Sequence, residues 1–324
     1  MATPVIILNW NGWDDTFACL RSLRDGGERG LVWLVDNAST IDRCDEARLL
    51  YPELRTLRWD QNYGYAGGYN RALKLAAKEG HEFAYLLNND CVVTPGFLTP
   101  TVVAAETDSG LGVVGSRIAY ADQPGFLEFD GEYHAAGDRP FYQDTGIKIV
   151  NHVIGAGMLV RLEALERHGY FDERFFCYGE EVELCSRMNG FNYLSAVCAD
   201  SLILHRSKGS DINANAWYYQ VRNRFLSLQR LSGVQRKEQK QQTLYKATVA
   251  AEEARRARNF QGWLAIACAV YDGLHGRFGK RPDKSALLLP CIFLVSLSLY
   301  SRLSDKWRFY RGKRIVIDEG KRLN

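Results

Sequence analysis

Over its first hundred residues the chain alternates short β-branched runs with stretches of helical period, and each run stops in small polar residues. The runs fall at residues 5–8, 31–35, 54–59 and 83–87. Between them Trp13, Phe17, Leu20 and Leu23 recur at three and four residues, as do Ala72, Leu73, Ala76 and Ala77. That spacing gathers side chains on one helical face. Strand–helix alternation of this kind predicts an α/β fold on a mainly parallel sheet. Open sheets of that class bind ligands beyond the carboxyl ends of their strands. Here those ends are Asn9-Trp10-Asn11-Gly12, Asp36-Asn37-Ala38-Ser39, the segment from Asn62 through Gly64, Gly67 and Gly68, and Asn88-Asn89-Asp90. Four strand ends therefore converge on one polar rim.

The rest of the chain is less regular. Residues 117–150 are rich in Gly, Asp and aromatics and predict a loop or hairpin insertion covering the rim. An apolar pattern returns at Leu159 and Val160, followed by a short helix over 162–168. An acidic helix start comes at Gly179-Glu180-Glu181-Val182-Glu183-Leu184, and a last strand over 193–199 precedes His205-Arg206-Ser207. From about residue 212 the pattern is helical, with Trp217, Val221, Phe225, Leu228 and Leu231 on one face.

At 324 residues, 46% of them hydrophobic and 24% charged, the chain suits one large domain or a domain with an appendage. Its eight cysteines include no CxxC pair and no zinc-like spacing, so they read as reduced core residues in a reducing compartment. Charge is divided unevenly. Residues 1–205 carry 17 Lys/Arg against 29 Asp/Glu, and residues 206–324 carry 24 against 9. Such a basic block can meet nucleic acid, an anionic membrane surface or the acidic part of its own chain. No nucleic-acid module accompanies it, and nucleic acid is not expected as a partner. No secretory signal is read at the start. The apolar run at 286–300 contains Pro290 and falls short of the ~20 residues of a spanning helix. Arg302, Lys306, Arg308, Arg311, Lys313 and Arg314 follow, interleaved with Trp307, Phe309 and Tyr310. That arrangement suits a peripheral membrane contact, and equally a helix docked on the protein or on a second subunit of a homodimer.

Several residues have a chemical and a structural reading side by side. Asp90 ends a buried strand where oxygen ligands suit Mg²⁺ or Mn²⁺, and a substrate diphosphate would complete the shell of a site with one carboxylate; it also suits an Asx turn. Asp36 can accept hydrogen bonds from a base or ribose, or cap the helix after it. The glycines at 64, 67 and 68, ahead of a helix, let a backbone approach phosphate or sugar, although neither the dinucleotide-binding glycine fingerprint nor the P-loop is present. Glu180, Glu181 and Glu183 complement a helix dipole, but aromatic surroundings would raise a carboxylate's pKa towards a general base's range. His205 fits a metal ligand or a hydrogen-bonded core histidine.

Taken together these segments resemble the inverting family 2 glycosyltransferases of the GT-A fold, in particular a rhamnosyltransferase-like branch of bacterial polysaccharide synthesis. The motifs carrying the resemblance are residues 5–12, 35–40, 62–70, 86–90 and 175–184, in the family's order over about residues 4–210. The resemblance implies a Rossmann-like, mainly parallel sheet with flanking helices as a catalytic domain over 1–210, with the nucleotide-sugar side at about 1–115 and the acceptor side at about 116–210. A basic, mainly helical region over 211–324 would follow. It implies that Asp36 holds base and ribose beside Asn9, Asn11 and Asn37, with Asn62, Gly67, Gly68, Asn70, Asn88 and Asn89 along the donor site and Ser207 on a loop closing over it. Asp90 matches the last acid of the metal-binding motif, Asn88 standing where its first acid is usual, and His205 matches a histidine that completes the metal site. Glu181 falls at the catalytic base, with Glu180 beside it. The implied donor is a dTDP- or UDP-sugar, the acceptor a saccharide or lipid-linked saccharide, and the setting the cytoplasm or the inner face of its membrane. Two rivals stand beside this reading. A nucleotidyltransferase is one, although the loop after the first strand lacks its glycine-rich basic grip. A non-catalytic nucleotide-sugar-binding scaffold is the other.

Overall fold

The structure, a computed structural model, describes residues 2–27, 30–142, 144–206 and 214–281. Ser207 and the apolar and basic segment at 286–314 lie outside the described residues. The chain forms two compact units, residues 1–212 and 213–324.

The first unit is built on one sheet. Strands β1 (Val5–Asn9), β2 (Val32–Asp36), β3 (Arg55–Arg58) and β4 (Phe83–Asn88) alternate with α1 (Trp13–Asp25), α2 (Cys44–Leu50) and α3 (Gly64–Lys78). The four strands pair in parallel in the order β3-β2-β1-β4. Their apolar runs suit that place, since a parallel strand is covered on both faces; all five residues of β2 are buried. In α1 the buried face is Trp13, Phe17, Leu20 and Leu23, while Asp14 and Asp15 complement the start of the helix dipole and Arg24 its end.

Beyond β4 the sheet turns mixed. Here β5 (Cys91–Val93), α4 (Leu98–Thr107), β6 (Leu111–Tyr120), β7 (Leu127–Phe129), β8 (Ile147–Val150), β9 (Gly157–Arg161), α5 (Leu162–His168), α6 (Glu180–Asn189) and β10 (Leu194–His205) follow in order. The order across the sheet continues β4-β9-β6-β10-β5. β9 is antiparallel to both β4 and β6, β10 is parallel to β6, and β5 is antiparallel to β10.

Two expectations need correction. The region from 117 onward opens as core: β6 is buried as far as Ala119, and only then does the chain leave into a hairpin with β7. The last strand is also longer than its apolar pattern, running to His205. Register shifts between Cys198 and Leu202 interrupt its pairing with β6 and break the alternation from which the strand would be recognised.

The second unit contains α7 (Ala214–Ser227), α8 (Gly233–Arg256) and α9 (Phe260–Leu274). Val221, Phe225 and Leu228 are buried as expected, joined by Tyr218 and a buried Arg222. Gly273 of α9 leaves room for Phe225, whose ring lies 2.4 Å from where a Cβ would stand. Arg222 donates to Asn223 Oδ1 (2.8 Å) and to the Gly279 carbonyl (2.5 Å), and Tyr218 donates to Asp272 (2.7 Å).

Candidate active site

The rim beyond β1, β2 and β4 is held by a buried amide network. Asn9 is fully buried; its Oδ1 accepts from the Gly12 N–H (3.0 Å) and the Thr16 hydroxyl (3.1 Å), and its Nδ2 donates to Asp36 Oδ1 (3.3 Å) and Ser39 Oγ (3.2 Å). Asn89 donates to the Gly12 carbonyl and to Thr16, both at 3.0 Å, tying the end of β4 to the start of α1. Asn11, in a left-handed conformation with φ 58°, accepts from Thr40 N–H. Asn37 donates to Asn62 Oδ1 (3.1 Å) and the Gly64 carbonyl (2.9 Å), joining the second strand end to the third. Each of these side chains thus shapes the rim, whatever else it meets there.

Asp36 belongs to β2 rather than to a helix cap. Its carboxylate is fully buried; Oδ1 accepts from Ser39 Oγ (2.5 Å) and Ser39 N–H (3.2 Å), and Oδ2 pairs with Arg58. The Arg58 guanidinium is 39% exposed and lies also 3.4 Å from Asp42. It also supplies the positive charge between Asp36, Asp42 and Cys44, whose donor atoms cluster there.

The glycines and Asn70 occupy different places from those expected. α3 already begins at Gly64, so Gly67 and Gly68 lie within its first turns and are buried. A Cβ on Gly68 would stand 2.9 Å from Leu8, and one on Gly67 3.0 Å from Tyr63. Gly68 lets the helix approach β1 closely, while Gly67 leaves room for Tyr63, Arg71 and Glu173. Asn70 faces residues 171–173: its Nδ2 donates to the Phe171 carbonyl (2.9 Å) and to Glu173 (3.1 Å), and its Oδ1 accepts from Phe171 N–H (3.0 Å).

That clamp holds the segment leading to α6. Phe176, Tyr178 and Gly179 all have positive φ, at 65°, 69° and 90°, a strained run of the kind that persists where its surroundings fix it. Ala66 N–H donates to the Phe176 carbonyl (3.2 Å). Glu183, read from sequence together with Glu180 and Glu181, is buried and paired with Arg187, which also donates to the carbonyls of His168, Gly169 and Tyr170. With α6 fixed, Glu180 is buried and its Oε2 finds no hydrogen-bond partner among the described residues. Glu181 is half-buried and accepts from the Gly179 N–H (3.1 Å). Burial raises the pKa of both, and the charge of Glu181 raises that of Glu180 further.

Asp90 and His205 meet through strand pairing. β10 lies against β5 with His205 opposite Cys91, and Arg206 N–H donates to the Asp90 carbonyl (2.9 Å). His205 Nε2 lies 3.4 Å from Asp90 Oδ1. On its other side Nδ1 donates to Glu128 Oε2 at 2.9 Å. Glu128 comes from β7, within the stretch read from sequence as a loop or hairpin insertion, and was not a candidate. Its only sequence trace is an acid between Leu127 and Phe129. Burial pulls the His205 pKa down, but Asp90 and Glu128 outweigh it and raise the value to about 10.

These residues fit a hard divalent cation. Asp90 Oδ1 is buried and accepts no hydrogen bond among the described residues. With Nδ1–H donating to Glu128, Nε2 is the ring nitrogen that faces that oxygen at 3.4 Å, and a divalent cation would take the place of the Nε2 proton between them. Cys91, the third nearby donor, donates its thiol to the Ala156 carbonyl (3.5 Å). Burial, then the charge of Asp90, hold it as the thiol, leaving an oxygen and nitrogen set suited to Mg²⁺ or Mn²⁺. The Asn88 backbone N–H donates to the Ala156 carbonyl (2.9 Å).

The two acidic groups face common ground. The pKa of the Tyr133 hydroxyl is raised by burial, then by Glu181, Glu128 and Glu180, and that of Tyr178 by burial and, among nearby charges, by Glu180 and Asp90.

A parallel half-sheet with a polar rim, a histidine–carboxylate pair at the end of its fourth strand and an acidic helix start beside it define a glycosyltransferase of the GT-A fold. Solved structures of similar fold include S. aureus TarS 1-349 (TM-score 0.54, 14% identity, 99% of this chain and 95% of that one). The mannosyltransferase PcManGT of Pyrobaculum calidifontis, in complex with GDP-Man and Mn²⁺, has a TM-score of 0.53 at 14% identity, over 96% of this chain and 88% of that one. The profile of glycosyl transferase family 2 matches residues 5–169, and the chain belongs to that family. In sequence it is 26% identical over 238 residues to an N-acetylglucosaminyl-diphospho-decaprenol L-rhamnosyltransferase of Mycobacterium tuberculosis, covering 64% of this chain and 76% of that protein. It is 29% identical over 197 residues to the O-antigen biosynthesis protein RfbC of Myxococcus xanthus, covering 55% of this chain and 15% of that one.

Proposed function

We propose that the chain is an inverting, metal-dependent glycosyltransferase of cell-surface polysaccharide synthesis. It moves a sugar, L-rhamnose first among the candidates, from a dTDP- or UDP-linked donor to a hydroxyl of a saccharide or lipid-linked saccharide. The rhamnosyltransferase relative, whose name gives a diphospho-decaprenol acceptor, supports the sugar and the lipid link. A complex of TarS 1-349 with UDP-GlcNAc supports a nucleoside diphosphate donor. The observation that carries the reading is the meeting of Asp90 and His205 3.4 Å apart at the rim of the sheet, in a chain whose α6 opens with a buried Glu180 and a half-buried Glu181.

In this reading the donor lies along the rim of residues 1–115, its nucleoside towards the Asp36–Arg58 corner and its diphosphate towards Asn88 and Asp90. Asn9, Asn11, Asn37 and Asn62 set the shape of that rim, and residues 116–210 form the acceptor side. Asp90 and His205 would hold Mg²⁺ or Mn²⁺, whose charge stabilises the departing diphosphate. Glu181 accepts the proton of the acceptor hydroxyl as that oxygen attacks the anomeric carbon from the face opposite the leaving group. Glu180, kept protonated by its neighbour's charge, leaves Glu181 as the ionised member. The enzyme works in the cytoplasm, at the inner face of the membrane that carries the acceptor lipid.

A nucleotide-sugar panel with Mn²⁺, read by thermal stabilisation and by transfer, identifies the donor. Glu181→Gln is expected to keep the donor-induced stabilisation and lose about 10²–10⁴-fold in transfer rate. Wild-type turnover in that variant would remove Glu181 from the role.

A further inference from the structure

The hairpin that leaves β6 does more than cover the rim. β10 lies between β5 and β6, and β6 carries β7 on its flank. His205, at the end of β10, is thereby reached from both sides: Asp90 faces Nε2 at 3.4 Å, and Glu128 takes Nδ1 at 2.9 Å. Neither contact depends on a mobile surface group, since the His205 side chain is 17% exposed and that of Glu128 13%. An imidazole held in this way has one orientation. Its Nδ1–H is committed to the carboxylate, and Nε2 faces the buried Oδ1 of Asp90, where a cation would replace the Nε2 proton. Glu128 is itself held in register, because Leu127 and Phe129 on either side of it are fully buried and pair with Ala119 and Ile118.

We infer that Glu128 is the positioning residue of the metal site: by accepting the Nδ1 hydrogen bond it fixes the tautomer and direction of His205 and so sets the affinity for the divalent ion. This rests on the reading of Asp90 and His205 as ligands. It also makes the hairpin part of the site, because any change that shifts β7 on β6 moves Glu128 away from the imidazole.

The test is Mn²⁺ binding to the full chain without donor or acceptor, followed by the paramagnetic resonance of free Mn²⁺. Asp90→Asn is expected to abolish binding. Glu128→Ala is expected to weaken it about 10- to 100-fold, the usual cost of removing such a partner, and Glu128→Gln, whose amide oxygen still accepts, to weaken it less. Long-range ¹H–¹⁵N spectra of the His205 ring in the metal-free protein check positioning directly: a hydrogen-bonded Nδ1–H that exchanges slowly is expected in wild type and Glu128→Gln and is lost in Glu128→Ala. Should Glu128→Ala bind Mn²⁺ like wild type while Asp90→Asn does not, the role of Glu128 is overturned and the ligand assignment survives. If Asp90→Asn binds normally, or wild type binds none, the ligand assignment falls and the role with it.

Discussion

At the residue scale, Glu180 and Glu181 put opposite demands on the protein. Burial raises the pKa of both carboxyl groups. An acid held above its unfolded value adds stability while protonated, and that contribution is lost as pH rises through the raised range. A general base works only when ionised, so activity runs the other way. Transfer is expected to fall tenfold per pH unit on an acid limb lying above the ordinary carboxylate value of 4.5; a rate unchanged down to that value would count against Glu181. Glu180→Gln removes the buried carboxylate whose Oε2 has no partner. Chemical denaturation should find that variant more stable than wild type by about 1–3 kcal/mol at pH 8 and equal to it near pH 4. Equal stability at both values would mean that Glu180 ionises without penalty.

At the scale of elements, α3 supports the segment leading to α6 through the Asn70 clamp and through a close approach at Gly64. Gly64 sits at φ 71°, and a Cβ there would stand 2.3 Å from the Phe176 carbonyl oxygen. Gly64→Ala therefore meets both a left-handed backbone, costing about 1–2 kcal/mol, and a clash with the loop that aims Glu180 and Glu181. A lowered melting temperature is expected, with a loss of transfer measured well below it that exceeds the unfolded fraction. A variant that melts early but turns over normally would separate the clash from the site. This contact also marks where the sequence stops being legible. Parallel strands and their polar ends are local: β-branched runs and the segments Asn9-Trp10-Asn11-Gly12 and Asn88-Asn89-Asp90 announce them without reference to anything distant. Asp90 and His205 could be singled out by type and position, and the acidic start of α6 by its run of Glu. Glu128, Arg58 and the true work of Asn70 and Gly68 could not. Each acts through a partner far away in sequence (His205, Asp36, Phe171 and Leu8), and residue type alone carries no trace of the strand order that brings them together. The mixed half of the sheet was hidden for the same reason, because the antiparallel place of β9 is a fact of long-range pairing.

At the scale of the whole molecule, charge is the strongest organising feature. Acidic residues dominate up to position 205 and basic ones beyond it, so the two ends of the chain differ in what they attract. No described helix is long and apolar enough to cross a membrane. An enzyme acting on a lipid-linked acceptor must still reach the bilayer surface, and the residues suited to that are the apolar run at 286–300 and the basic, aromatic stretch from Arg302 to Arg314. Cationic side chains near an anionic surface each contribute about 1 kcal/mol and are screened by salt, whereas buried apolar groups are not. The full chain should therefore float with vesicles containing phosphatidylglycerol, more weakly with phosphatidylcholine alone, and lose most of that difference at high salt. A chain ending at Arg281 keeps all the described helices of the second unit and should remain at the bottom of the gradient, with transfer to a short soluble acceptor retained. Equal flotation of the two chains would assign the contact to the helices instead of the tail, and no flotation of either would leave the acceptor lipid itself as the only link to the membrane.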